Sequence, residues 1–178
     1  MLMKKYVVTG GPCSGKTTIL NSINSLGFHI LPESSRIVME KYNIHPKKDF
    51  NNFQRILMIE QMGMEINLSN LDVDVAFLDR SILDNYAYAN FGNVTCSPEI
   101  EDFVRNTDYS KIFLLDITPE YKKDDQRWES QYMAKTIHNK IHNTYNEFGY
   151  NPIEVPFFEE DSFEKSVEKR RDFILKRI

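Results

Sequence analysis

Short apolar runs alternate along the chain with longer stretches in which apolar residues recur every three or four positions. That is the rhythm of strands alternating with amphipathic helices. Tyr6-Val7-Val8-Thr9, Phe28-His29-Ile30-Leu31, Val73-Asp74-Val75-Ala76-Phe77-Leu78, Lys111-Ile112-Phe113-Leu114-Leu115-Asp116 and Ile153-Glu154-Val155 read as five strands. Pro32 stops the second, because proline cannot donate to a ladder.

The intervening stretches read as helices: Thr17 to Ile23, closed by Gly27; Ser34 to Met39; Phe50 to about Leu71; Ile82 to Ala89; one running to about Phe148, closed by Gly149; and a last one from Phe163 to Ile178. Phe53, Leu57, Met64 and Leu68 make one apolar stripe, and Ala134, Ile137, Ile141, Tyr145 and Phe148 another. In the last helix Phe163, Val167, Phe173, Ile174 and Ile178 are expected inside, with Glu164, Lys165, Glu168, Lys169, Arg170 and Arg171 solvated. Strands and helices in this alternation specify a parallel sheet wrapped on both faces by right-handed crossovers.

Between the first strand and the first helix lies Gly10-Gly11-Pro12-Cys13-Ser14-Gly15-Lys16-Thr17, which satisfies G-x-x-x-x-G-K-[ST] at every specified position. A strand before it and a helix after it are the context in which backbone N–H groups and a helix N-terminus face anionic oxygens. Gly11, Pro12, Cys13, Ser14, Gly15 and Thr18 are therefore candidate phosphate-cradle residues. Lys16 is placed to reach β- and γ-phosphates, and the Thr17 hydroxyl to ligate Mg²⁺.

Other strand ends fall along the same rim, where open α/β sheets bind ligands. Glu33, just past the second strand, is a candidate for substrate contact or proton abstraction, and equally a first-turn acid favoured by its helix dipole. Asp79-Arg80-Ser81 ends the third strand: a carboxylate there can hold Mg²⁺ and a guanidinium can neutralise phosphoryl charge, the alternative being an Asp helix cap beside a surface ion pair. Asp84 and Tyr86 extend this group. Gln54, Met58, Gln61 and Glu65 share one face of the long helix, most simply a solvated one. After the fourth strand, Lys122, Lys123, Arg127 and Trp128 crowd a polar segment over residues 118–131 that reads as a closing lid or as a plain solvated loop.

Composition narrows the setting. A chain of 178 residues suits one domain over 1–178, burying about 70% of its unfolded surface. With 41% hydrophobic and 27% charged residues it is ordinary for a globular protein, and no apolar run approaches the roughly eighteen residues of a membrane span. Met1 to Lys5 lead straight into the first strand, so no signal peptide is expected. A net charge of −4 argues against a general nucleic-acid surface. Two cysteines, Cys13 and Cys96, form neither a disulfide framework nor a metal-ligand pattern, so a cytoplasmic setting is expected.

The phosphate loop, Glu33, Asp79-Arg80-Ser81 and Leu115-Asp116-Ile117-Thr118-Pro119-Glu120 together resemble the P-loop fold of deoxynucleoside and thymidylate kinases. Pro32-Glu33-Ser34-Ser35-Arg36, Leu78 through Tyr88, and Asp125-Gln126-Arg127-Trp128-Glu129-Ser130 are similar to the AAA-type predicted ATPase family grouped with NadR-like kinase domains. The resemblance implies a three-layer α/β/α P-loop NTPase fold on a five-stranded parallel sheet, with ATP and Mg²⁺ as cofactors. It further implies Lys16 and Thr17 at phosphate and Mg²⁺, Glu33 as the base for a substrate hydroxyl, Arg80 on the transferring phosphoryl, Gln54 on a nucleoside-like acceptor, and Pro156 against the adenine. The implied activity is phosphoryl transfer to a small nucleoside- or nucleotide-like acceptor. The alternative is an ATP- or GTP-dependent switch with slow hydrolysis; Lys122-Lys123-Asp124-Asp125 only partly imitates a GTPase base-binding signature and lacks its asparagine.

Overall fold

The computed structural model describes residues 3–12, 14–116, 131–160 and 162–178. Five strands, β1 (Lys4–Thr9), β2 (His29–Leu31), β3 (Val75–Asp79), β4 (Lys111–Leu115) and β5 (Ile153–Val155), form one sheet in the order β2-β3-β1-β4-β5. Every pairing is parallel, with Val7 opposite Leu78 on one side and Ile112 on the other. Among the described residues seven helices connect them: α1 (Lys16–Asn24), α2 (Ser34–Tyr42), α3 (Phe50–Leu68), α4 (Ile82–Phe91), α5 (Pro98–Arg105), α6 (Gln131–Glu147) and α7 (Phe163–Leu175). This is the expected parallel α/β sheet of the P-loop kinase folds.

Strand side chains alternate between faces, and the core divides accordingly. Tyr6, Val8, Phe77, Phe113, Leu115 and Val155 pack with Ile19, Leu20 and Ile23 of α1 and Ile174 of α7. Val7, Leu78, Ile112 and Leu114 face the opposite way, onto Leu83 and Ala87 of α4 and Ile137, Ile141 and Tyr145 of α6. Both faces of β1, β3 and β4 are thus covered, which is why these strands read as nearly continuous apolar runs.

Two expectations are corrected, and one helix is added to those expected. Helix α5 falls in a stretch left unassigned, although its signal is present: Ser97 caps it, Pro98 occupies its first turn, and Ile100 and Val104 are buried one turn apart. The face Gln54, Met58, Gln61 and Glu65 is not solvated; all four are buried, because α3 is covered by α4 and α5 on the side away from its exposed Ile59 and Ile66. On α7 the packed face is centred on Ser166, Arg170 and Ile174, so Arg170 is buried, whereas Phe163 and Ile178 are left 62% and 37% exposed at the ends.

Candidate functional site

The loop after β1 turns on two glycines with positive φ. Gly10 (φ 136°) passes so close to β4 that a Cβ there would stand 2.6 Å from the Leu115 carbonyl oxygen. Gly15 (φ 83°) forms the N-cap of α1 and supplies no side chain to cap it, leaving the first N–H groups of the helix available to an anion. Lys16 lies over the loop, its Nζ donating to the Gly10 and Gly11 carbonyls at 3.2 and 2.9 Å and to Ser14 Oγ at 3.2 Å. Burial, assisted by the positive charge of Arg80, lowers its pKa to about 8.

Asp79 ends β3 beside α1, and the Thr17 hydroxyl donates to its Oδ2 at 3.0 Å. Its Oδ1 is buried with no hydrogen-bond partner among the described residues. Burial, together with the negative charge of Glu33, raises the Asp79 pKa to about 6. One hydroxyl and one under-satisfied carboxylate form the hard oxygen donor set that Mg²⁺ accepts when waters and phosphate oxygens complete its octahedron. No cluster of three or more His, Cys, Asp or Glu able to hold a metal by itself exists among the described residues.

Asp79 is not a helix cap. Ser81 caps α4, in a reciprocal box with Asp84, whose Oδ2 accepts the Ser81 N–H at 3.0 Å. Between them Arg80 adopts a left-handed backbone (φ 72°), a conformation costing a non-glycine residue about 1 kcal/mol or more. Its guanidinium is the knot that holds it there. Nη1 donates to the Gly10 carbonyl and to Asp84 Oδ1, both at 3.1 Å, while Nε donates to Glu33 Oε1 at 3.2 Å. The Tyr88 ring lies 5.6 Å away. Asp84, fully buried, also accepts from the Thr9 and Tyr145 hydroxyls. Opposite charges on a buried carboxylate and guanidinium are mutually compensated here.

Glu33 occupies the N-cap position of α2 without capping it. Its carboxylate instead meets Arg80 through one oxygen and Arg36 Nε through the other, at 3.5 Å. Burial works to raise its pKa, but the charges of Arg80 and Lys16 prevail and hold the carboxyl below its usual range. It is therefore ionised at neutral pH.

A cleft of about 300 Å³ runs from the loop to these groups. Pro12, Ser14, Gly15, Lys16, Thr17 and Thr18 line it together with Glu33, Arg80, Gln54 and Asn85 and the apolar side chains of Met39, Phe53 and Leu57. Gln54 is 2% exposed and its Oε1 lacks a partner among the described residues. Pro156 follows β5 and is not part of this lining; the end of its strand lies instead on the other flank of the loop, where one guanidinium reaches both the Val155 and Ser14 carbonyls. Gly11 takes part through its backbone. Cys13, Arg127 and the rest of the 118–130 segment lie outside the described residues.

Two contacts to the loop escaped sequence reasoning. His138 of α6 accepts the Gly11 N–H on Nδ1 at 3.2 Å, joining the far helix layer to the loop. Arg170 of α7 donates to the Ser14 carbonyl at 2.7 Å from the opposite face. Their sequence separations from the loop, 127 and 156 residues, leave no local signal for either contact. Glu65, buried in the interior, accepts from Gln61, Tyr109 and the Ile82 N–H at 2.7 to 2.9 Å, and so ties α3 to the start of α4 just behind Arg80.

A strand–glycine loop–helix cradle, with an Asp-Arg pair from the adjacent strand, defines a P-loop NTPase of the kinase-like architecture. The family model described as AAA domain matches residues 5–165, and the chain belongs to that family. No curated protein matches the sequence. Among solved structures, a NadR protein in complex with NR superposes with a TM-score of 0.78 at 18% identity, over 98% of this chain and 51% of that one. This chain thus spans about half the length of the NadR proteins it matches. Deoxyadenosine kinase from M. mycoides, with products dCMP and dCDP bound, gives 0.65 at 16% identity over 97% of both chains. Thymidylate kinase from Ehrlichia chaffeensis gives 0.66 at 13%, over 98% of this chain and 97% of that one. Among the described residues no helix is long and apolar enough to cross a membrane.

Proposed function

We propose that the protein is a kinase that transfers the γ-phosphoryl group of Mg·ATP to a small nucleoside- or nucleotide-like acceptor. The observation that carries this reading is the single cleft joining the P-loop to Glu33, Arg80 and Gln54. A nucleotide switch needs the loop; it has no need of an adjoining chamber with an ionised carboxylate, a buried amide and apolar side chains. The related structures support the same direction, since a NadR protein has been solved with NAD and AMP-PNP and deoxyadenosine kinase with dATP.

In this proposal the backbone N–H groups of Gly15 to Thr18 and the Lys16 ammonium hold the phosphates. Thr17 and Asp79 would hold Mg²⁺, which would supply charge neutralisation on the phosphates. Glu33, ionised and fixed by two arginines, accepts the hydrogen bond of the acceptor hydroxyl and then its proton as the bond to phosphorus forms. Arg80, next to both the loop and Glu33, steadies charge on the group in transit. Gln54 and Asn85 orient the acceptor over Met39, Phe53 and Leu57. Pro156 flanks the adenine, a role that rests on the family resemblance, and Arg127 covers the phosphates, a role that rests on its place in the basic segment of the sequence. Positioning and charge neutralisation do most of the catalytic work in such a site.

The test is a screen of nucleosides, nucleoside monophosphates and nicotinamide riboside with labelled ATP and Mg²⁺. Label appearing in one acceptor class is the expected result. Tight ATP binding with label released only as inorganic phosphate contradicts it.

A further inference from the structure

Arg170 presents a feature that the proposed chemistry does not use. It is a cation from α7, 3% exposed, and among the described residues its hydrogen bonds go to backbone carbonyls: Ser14 from Nη1 at 2.7 Å, Asp116 from Nη2 at 3.0 Å and Val155 from Nη2 at 3.3 Å. Its Nε is buried without a partner among the described residues. Burial lowers its pKa to about 10, against the nearby charge of Asp116, so it remains protonated at neutral pH. Burying a guanidinium is costly, and a leucine would pack against α1 without that penalty. It also lies beyond the segment, residues 5–165, that the family model matches.

The three carbonyls belong to the P-loop and to the C-terminal ends of β4 and β5. The one on the P-loop matters most. In a trans peptide the carbonyl and the following N–H point to opposite sides. With the Ser14 oxygen held on α7, the Gly15 N–H is directed away from α7. Gly15 and Lys16 line the cleft, and loop N–H groups of this kind are what take phosphate oxygens. Glycine at position 15 tolerates φ of either sign, so this peptide is free to flip. A flip would aim a carbonyl oxygen at the phosphate. The Arg170 bond removes that alternative, and its Nη1 lies 3.5 Å from where a Gly15 Cβ would be.

We infer that Arg170 is a positioning residue for phosphate binding, locking the Ser14–Gly15 peptide with its N–H toward the nucleotide from a helix that does not itself touch the ligand. This rests on the nucleotide-binding reading above. Its action passes through the Gly15 amide, and the β-phosphate is the group that amide would meet.

The experiment measures ADP affinity by calorimetry in the presence of Mg²⁺ for the unsubstituted chain, Arg170→Met and Arg170→Lys, with urea unfolding of each. The expected result is an ADP affinity loss of about tenfold or more in Arg170→Met, partly restored in Arg170→Lys, which keeps the charge without the fork. In the unsubstituted protein the Gly15 amide resonance shifts on adding ADP. An Arg170→Met protein that is folded and binds ADP within about twofold of the original overturns the inference, whatever its loss of stability. So does a Gly15 amide that ADP binding leaves unmoved, even if neither variant folds. An unsubstituted protein that binds no ADP overturns the nucleotide reading itself, and the inference with it.

Discussion

Arg80 and Glu33 are joined at 3.2 Å, and the same guanidinium bonds the Gly10 carbonyl of the P-loop at 3.1 Å. The residue proposed to steady the transferring phosphoryl therefore contacts both the cradle and the proposed base. A phosphoryl group passing from one to the other has a cation beside it throughout. This geometry needs Arg80 in a left-handed backbone, which the sequence Asp79-Arg80-Ser81 does not announce.

Removing Arg80 should cost more stability than a surface arginine. Asp84 is fully buried and, among the described residues, would keep only neutral donors from Thr9, Tyr145 and the Ser81 N–H. Arg80→Ala is expected to destabilise the fold by about 3 kcal/mol, the lower end for breaking a buried ion pair. Urea denaturation of both proteins checks this. Arg80→Ala,Asp84→Asn, which removes the orphaned charge, should recover part of the loss.

Gln54→Leu should separate acceptor recognition from stability. The Gln54 Oε1 is buried without a partner among the described residues, so an apolar replacement of similar size relieves an unsatisfied group. Stability is expected to stay equal or to rise by about 1 kcal/mol. The KM for the acceptor should rise about tenfold with the KM for ATP unchanged, the loss of one hydrogen bond to a buried amide. Steady-state kinetics with each substrate varied in turn distinguishes the two effects.

The His138 contact gives the loop a pH dependence. Its Nδ1 accepts the Gly11 N–H and so must be unprotonated. Burial is the main cause lowering its pKa below 6.5, with Lys16 and His142 acting the same way and Asp116 and Glu154 opposing. A histidine whose folded-state pKa is depressed binds its proton more readily when unfolded. Stability from this residue is therefore intact above about 6.5 and declines as pH falls below it toward the folded value. His138→Asn, which offers a non-titrating acceptor, should lose this component. The difference in urea midpoint between pH 7.5 and 5.5 should shrink in the variant.

Much of the fold was legible because strand and helix periods are local. All five strands, the P-loop and the clustering of strand ends on one rim follow from runs of a few residues each, with ends shifted by one or two positions. The cleft brings Lys16, Thr17, Glu33, Gln54 and Arg80 together as that clustering requires. What remained hidden depends on which polar side chain a distant element covers. Arg170 has charged neighbours on both sides, and helical periodicity alone assigns it to a solvated surface. Only the packing of α7 against α1 and the ends of β4 and β5 turns it inward. Gln61 and Glu65 likewise read as solvated because the Tyr109 hydroxyl and Ile82 N–H that satisfy Glu65 come from other parts of the chain. His138 carries no signal at all until α6 is laid beside the loop.

The proposal as a whole turns on Glu33 acting in transfer while Lys16 acts in nucleotide binding. Lys16→Ala should weaken ATP binding and abolish turnover with the fold retained, which serves as the control. The decisive measurement is Glu33→Gln, assayed for ATP affinity and for phosphoryl transfer in the same preparation. The account predicts ATP affinity within about twofold of the original and transfer reduced by about a hundredfold or more, the usual contribution of a positioned base. Transfer at the original rate with ATP still bound would contradict it.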